Sequence, residues 1–336
     1  RIEWGFEADA LTHTAVSVHG GLIDAHESCL VIPVRFEAPM AVGQPVFYRV
    51  VAESLDYASA YEIDRGDSIA SAVRRLKLPH RDQQSLSLTV INDTHENPET
   101  LTRLARRIEE LDPDLLVWNG DVCRHFNAGD NPAALLLRPG AVGTEPSDGG
   151  WASTRPLLYV PGNHDVRGEH ARLRPSILAP GPHANLAYNT ALRIGPLAMI
   201  TLDSGEDKPD RHPVFSGTAA YEPYREQQAE WLATQLKRPE ITEAPFRIAF
   251  SHIPLRGAPG QNDGSIIEGH ARYSGQGARL WLPPLTAAAF QAVISGHMHE
   301  WRCDEPTGEC PITQIVGGGP GPADATVMVM EVEPTR

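Results

Sequence analysis

Short apolar runs recur along this chain, and from residue 85 onward they tend to end in a polar cluster. The run 86–91 ends in Asn92-Asp93-Thr94-His95, and 115–118 leads to Gly120-Asp121. The run 157–160 leads to Gly162-Asn163-His164-Asp165, 247–250 to Ser251-His252, and 292–294 to Gly296-His297-Met298-His299. Runs of this length and composition predict buried strands, as does 198–202. Between the first two, Leu101, Leu104, Ala105, Ile108 and Leu111 recur at helical spacing behind Pro98, which predicts an amphipathic helix over 98–111. A second helix is expected around 225–236. In open α/β sheets the ligand site lies beyond the carboxyl ends of the strands, so the polar clusters should converge there.

The first 85 residues read differently. Segments 28–36 and 45–51 have the β-branched and aromatic content of strands, while 68–78 is open between helix and strand. A small β-sandwich with no chemistry of its own is the expectation for this part.

The net charge is −14, with 29 basic against 43 acidic residues, which argues against a broad nucleic-acid-binding face. An anionic substrate would need bound cations or a few placed arginines. No run of 18 apolar residues suggests a membrane span. Cys29, Cys123, Cys303 and Cys310 fit no zinc-finger or CxxC pattern. Cys303 and Cys310 flank a turn-like stretch and are open between a disulfide and two thiols; a disulfide would favour a periplasmic or secreted setting over a cytoplasmic one. The sequence starts at Arg1 without an apolar leader, as a processed or trimmed product would.

Any one of the polar clusters by itself could be a surface turn. Together, each at a strand end, they form a set of imidazole, carboxylate and amide ligands suited to two transition-metal ions such as Mn, Zn or Fe. Two such ions about 3.5–4 Å apart need a bridging carboxylate and lower the pKa of a bound water towards about 7, which supplies a nucleophile at neutral pH.

The string Asp93-x-His95, Gly120-Asp121, Gly162-Asn163-His164-Asp165, Ser251-His252, Gly296-His297-x-His299 resembles the calcineurin-like metallophosphoesterase signature. The resemblance implies a four-layer α/β/β/α sandwich over residues 85–336, preceded by an immunoglobulin- or fibronectin-like β-sandwich over 1–84. It implies that Asp93, His95 and His299 bind one metal, that Asn163, His252 and His297 bind the other, and that Asp121 bridges them. His164 would be the non-ligand acid and Asp165 would orient its ring. The layout is similar to that of purple acid phosphatases, as are Gln227, Gln228 and Trp231 in the expected helix. Two departures stand out. Arg124 occupies the position of the tyrosine that colours those enzymes, and His95 stands where they lack a histidine, so a tyrosinate-bound ferric ion is not expected.

The connection 125–156 leaves and re-enters at the metal end and should wall the pocket. Arg124, His125, Asn127, Trp151 and Arg155 are therefore candidate substrate contacts, with Arg167 and Arg256 as phosphate clamps. Residues 257–277 read as a second loop near the same end, and Gly317-Gly318-Gly319-Pro320-Gly321-Pro322 as a turn, with an approach to the site through bare backbone as the alternative. The expected reaction is hydrolysis of a small phosphate ester by a metal-bridging hydroxide, leaning towards a monoester. A cyclic-nucleotide or phospholipid-headgroup diesterase is the alternative, and a catalytically silent scaffold belongs to a different class.

Overall fold

The structure is a computed structural model and describes residues 1–25, 30–37, 40–127, 150, 152–178, 184–258, 273–308 and 310–333. The N-terminal part is β-rich. Strands β1 (Ile2–Gly5), β2 (His13–Ala15), β5 (Val46–Ser59), β6 (Glu62–Ala70) and β7 (Arg74–Leu76) form one sheet, and β3 (Val18–His19) pairs with β4 (Leu22–Ile23). Residues 68–78 resolve as extended chain, the end of β6 and all of β7. The strand expected over 28–36 is not formed by its described residues: 30–36 joins no ladder. Phe36 instead packs edge-on against the buried Trp4, with ring centroids 5.1 Å apart. Its aromatic content serves packing, not pairing.

The rest of the chain builds two sheets. The first has the order β10-β9-β8-β17, from β8 (Leu86–Ile91), β9 (Leu115–Asn119), β10 (Leu157–Val160) and β17 (Met328–Val332). The second has the order β11-β12-β13-β14-β16-β15, from β11 (Ala191–Ile194), β12 (Leu197–Leu202), β13 (Phe246–Ser251), β14 (Ala292–Ser295), β15 (Arg302–Asp304) and β16 (Thr313–Val316). β8 is parallel to β9 and β9 to β10; β12, β13, β14 and β16 also run parallel. These strands are nearly continuous apolar runs because both faces of each sheet are covered.

Three hydrophobic clusters show what covers them. Leu88, Val90, Val117 and Val160 of the first sheet meet Met199, Phe250 and Ile294 of the second. Ile91, Leu116 and Trp118 pack outward on Leu101, Leu104 and Ile108 of the helix Pro98–Leu111. Ala198, Ile200 and Ala249 pack outward on Leu232, Trp281 and Leu285, from the helices Tyr221–Gln235 and Gly275–Ala287. The order is therefore helix, sheet, sheet, helix. Each fully buried Leu, Ile or Phe contributes about 1.5–3 kcal/mol, so this double-sided burial holds the strands in place.

Local chemistry sets the helix starts. Asn97 accepts from the amides of Glu99 and Thr100 and Pro98 follows it, while Asp112 closes the helix in the left-handed region. The segment expected as a loop over 257–277 is partly helical: Ser274 caps the helix that begins at Gly275, and 259–272 lies outside the described residues. The Cys303–Cys310 disulfide does not form. The β15–β16 register sets Cys303 opposite Ile315, leaving Cys303 exposed while Cys310 packs against the third cluster.

Candidate metal centre

The strand ends converge as the polar clusters require. β8 delivers Asp93 and His95, β9 delivers Asp121, β10 delivers Asn163, β13 delivers His252, and β14 delivers His297 and His299. The centre thus spans the carboxyl ends of both sheets. Asp93, His95, Asp121, His297 and His299 all hold the left-handed backbone region, with φ of 48°, 43°, 52°, 71° and 55°. Such conformations cost on the order of 1–3 kcal/mol each and persist where the surroundings impose them. Here they turn consecutive side chains off the strands toward one point.

Bare backbone makes room for those side chains. A Cβ on Gly120 would collide with the His252 ring, and one on Gly162 with the Asp121 carboxylate and its amide nitrogen. Gly317 lies as tightly against Asn92, and a Cβ on Gly319 would sit 2.7 Å from His299 Cβ. The 317–319 stretch, expected as a turn, is therefore packing surface for the centre; the turn follows at 320–324.

Two ligand groups share one carboxylate. Asp93, His95, Asp121 and His299 place one ligand atom each within 4.8 Å of one another, and so do Asp121, His252 and His297. Asn163 Oδ1 stands 2.8 Å from His297 Nδ1, which puts the amide with the second group. Asp121 Oδ2 lies 3.5 Å from His95 Nε2 and 3.3 Å from His252 Nε2, while its Oδ1 accepts from the His164 amide at 2.8 Å. His95 Nε2 and His299 Nε2 are only 3.1 Å apart.

These atoms fit cations. Among the described residues, Asp93 Oδ1 and His252 Nε2 are sealed from solvent without a hydrogen-bond partner. Leaving buried polar atoms unmatched is costly, and a metal ion would satisfy both. His252 Nδ1 donates to the Asn119 carbonyl at 2.8 Å, which leaves Nε2 as the nitrogen that would meet a cation once it gives up its proton. Burial works to lower the pKa of His252, yet the carboxylates of Asp121 and Asp93 outweigh it and push it up to about 10. His95 goes the other way, lowered to about 4 by burial despite the same carboxylates.

His164 stands at the rim, its ring centroid 4.6 Å from that of His95. Its Nδ1 donates to the Arg124 carbonyl at 3.0 Å, so Nε2 accepts from Arg167 Nη1, also at 3.0 Å. Burial lowers the pKa of this histidine, and Arg167 adds to the lowering while Asp121 opposes it. Asp165 does not orient the His164 ring. Its Oδ1 accepts from the Val122 amide at 2.9 Å and its Oδ2 from the Gly162 amide at 2.9 Å. It thereby ties the loop bearing Asp121 to the loop bearing Asn163.

The candidate substrate contacts divide. Arg167 is beside His164 but is already held by Glu206 and by Asp207 Oδ1, the latter at 3.3 Å. Arg124 and His125 are exposed. Arg256 is turned away, its Nη2 donating to the Asp304 carbonyl at 2.6 Å. Arg155 precedes β10, at the amino end of a strand whose carboxyl end bears Asn163, and is buried against Glu109 and Asp112 at 2.9 and 3.4 Å. Neither of these two reaches the centre. Trp151 and the connection over 128–149 lie outside the described residues.

Sequence reading missed two sets of residues. Asn92 holds Asp93 Oδ2 at 2.6 Å and the Gly318 carbonyl at 2.8 Å. Glu206 and Asp207 hold Arg167. The signal for the second set was present, since Asp203-Ser204-Gly205-Glu206-Asp207 follows β12 as the other clusters follow their strands.

The sequence matches the model of the calcineurin-like phosphoesterase family over residues 86–301. A search of curated proteins finds no match. Among solved structures, the purple acid phosphatase PPD1 from yellow lupin (Lupinus luteus) seeds is similar at TM-score 0.59 and 14% identity, over 86% of this chain and 52% of that one. This chain thus spans about half the length of the lupin enzyme, and the likeness is one of fold. A dimetal phosphatase from Danio rerio is similar at TM-score 0.49 and 15% identity, over 74% of this chain and 92% of that one. With the family match covering both candidate metal-ligand groups, this chain belongs to the calcineurin-like phosphoesterase family.

Proposed function

We propose that the chain hydrolyses a phosphomonoester at a two-cation centre. Asp93, His95, Asp121 and His299 would hold one cation, and Asp121, Asn163, His252 and His297 the other. The observation that carries the reading is the sharing of Asp121 by both ligand groups. A full ligand set with His164 at its rim argues against a silent scaffold.

When bound, the cations supply charge neutralisation for the phosphate oxygens and an acidified water as nucleophile. The chain's own residues do the rest. His164 is neutral at rest, since burial and Arg167 both disfavour its charged form. An anionic phosphate beside it offsets both effects, so the ring would take up a proton at Nε2 on substrate binding and return it to the leaving alkoxide. Arg167 lies within reach of the same position and would contribute the extra positive charge that a phosphate dianion calls for. That placement favours a monoester. The diester reading keeps one specific support, a cavity beside Arg167 with room for a second substituent.

The test compares turnover of p-nitrophenyl phosphate and bis-p-nitrophenyl phosphate by protein loaded with Mn or Zn. Faster hydrolysis of the mono-ester supports the proposal, and the reverse order replaces it with the diester reading. Metal-loaded protein that turns over neither would remove the catalytic assignment.

A further inference from the structure

Residues 166–175 and 206–224 contribute the walls of a cavity of about 890 Å³. Arg167 forms part of its wall, and the same guanidinium reaches His164, so the cavity adjoins the metal centre. In a chain of net charge −14 its lining is unusual: Arg167, Arg172, Arg174 and Lys208 against Glu169 and Glu206. Arg167 and Lys208 are matched by Glu206 and Asp207. Among the described residues, Arg172 and Arg174 form no ion pair.

Arg174 is the informative one, because its residue is only 7% exposed. Its Nε donates to the Ala171 carbonyl at 3.2 Å, its Nη1 reaches the Tyr159 hydroxyl only at 3.5 Å, and its guanidinium lies 5.0 Å from the Tyr188 ring centre. Among the described residues its Nη2 meets no hydrogen-bond acceptor. The buried Arg225 shows what a structural arginine looks like in this fold. Its Nε, Nη1 and Nη2 donate to the Ser204 carbonyl, Gln276 Oε1 and the Glu206 carbonyl at 2.8, 3.0 and 2.5 Å. The buried carboxylates of Asp203 and Asp165 act on the Arg174 charge but from beyond ion-pair distance; a guanidinium with an unused donor that lines a cavity beside a phosphate site is placed to receive a ligand anion.

We propose that this cavity is a subsite for a second anionic group, phosphate or carboxylate, carried by the alcohol part of the substrate, and that Arg174 and Arg172 receive it. The carbon chain between the two anions would run along Val214, Phe215 and Tyr221, which line the same cavity. The inference rests on the reading of the metal centre as a phosphoester site, and it narrows the substrate to phosphoesters bearing a distal acid.

The test uses non-hydrolysable probes on the manganese-loaded protein, so that it does not depend on turnover. Calorimetric affinities are compared for alkyl phosphonates, α,ω-alkane bisphosphonates and ω-phosphonocarboxylates of two to eight carbons. The expected result is an optimum chain length at which a doubly anionic probe binds about tenfold or more tighter than its singly anionic counterpart. A preference for the bisphosphonate or for the carboxylate tells which acid is read. Arg174→Lys and the exposed Arg172→Gln should each shrink that ratio; the second variant is safe for folding if the first is not. Equal affinities at every length, or a ratio unchanged in Arg172→Gln and in a folded Arg174→Lys, would overturn the subsite. Tight binding of these probes with no hydrolysis of any ester would overturn the catalytic reading and leave the subsite standing.

Discussion

Asp93 Oδ1 and His252 Nε2 lie 3.8 Å apart, sealed from solvent, and neither meets a hydrogen-bond partner among the described residues. That separation is too long for a hydrogen bond between them. Each atom is fixed from behind, Asp93 by Asn92 and by the His297 amide at 2.8 Å, His252 by the Asn119 carbonyl. Atoms preset in this way are aimed at something between them.

Asp121→Ala should therefore empty the centre of both cations, since both ligand groups lose the same residue. Elemental analysis of the purified variant is expected to find neither metal, with turnover reduced to background. Undiminished metal content would show that Asp121 is not the bridge.

His164→Ala leaves every ligand in place. Metal content should match the unaltered protein while the rate falls by roughly 10²–10⁴, the span typical of acid–base groups. A metal-free variant would mean that His164 is itself a ligand.

Cation binding should release a proton from His252. In the metal-free chain its pKa near 10 means that it is protonated at neutral pH, and a ligand must be neutral. His95, at about 4, is already neutral and releases nothing. Affinity should therefore rise with pH between 7 and 9, by about tenfold per unit from this one group. Calorimetry in buffers of different ionisation enthalpy would detect the proton; enthalpies independent of buffer would contradict it.

Gly162→Ala should act on the metals before it acts on the fold. Its new Cβ would press on the carboxylate and the amide nitrogen of Asp121, and that backbone cannot swing aside as a flexible side chain would. Loss of metal with a retained far-ultraviolet circular dichroism spectrum is the expected outcome. A fully metallated, active variant would show that the loop yields more readily than its packing implies.

The strands and the candidate metal ligands were legible because both are local. A buried strand must be an apolar run, and a residue that leaves a strand toward a metal must be a histidine, a carboxylate or an amide within a few positions of its end. The sequence alone therefore determined the α/β core and the candidate ligand groups at its strand ends. It did not determine which cations of its own would face a phosphate. Arg155, Arg167 and Arg256 look alike on paper, but β10 carries Arg155 to the wrong end, β15 draws Arg256 to its backbone, and the tail of β12 holds Arg167 beside His164. The same holds for Asp165, whose sequence neighbour is His164 but whose partners are amides of two different loops. An arginine or a carboxylate takes its role from whatever counter-charge or amide the tertiary structure brings within about 3 Å, and that distance is set by strands far apart in the chain.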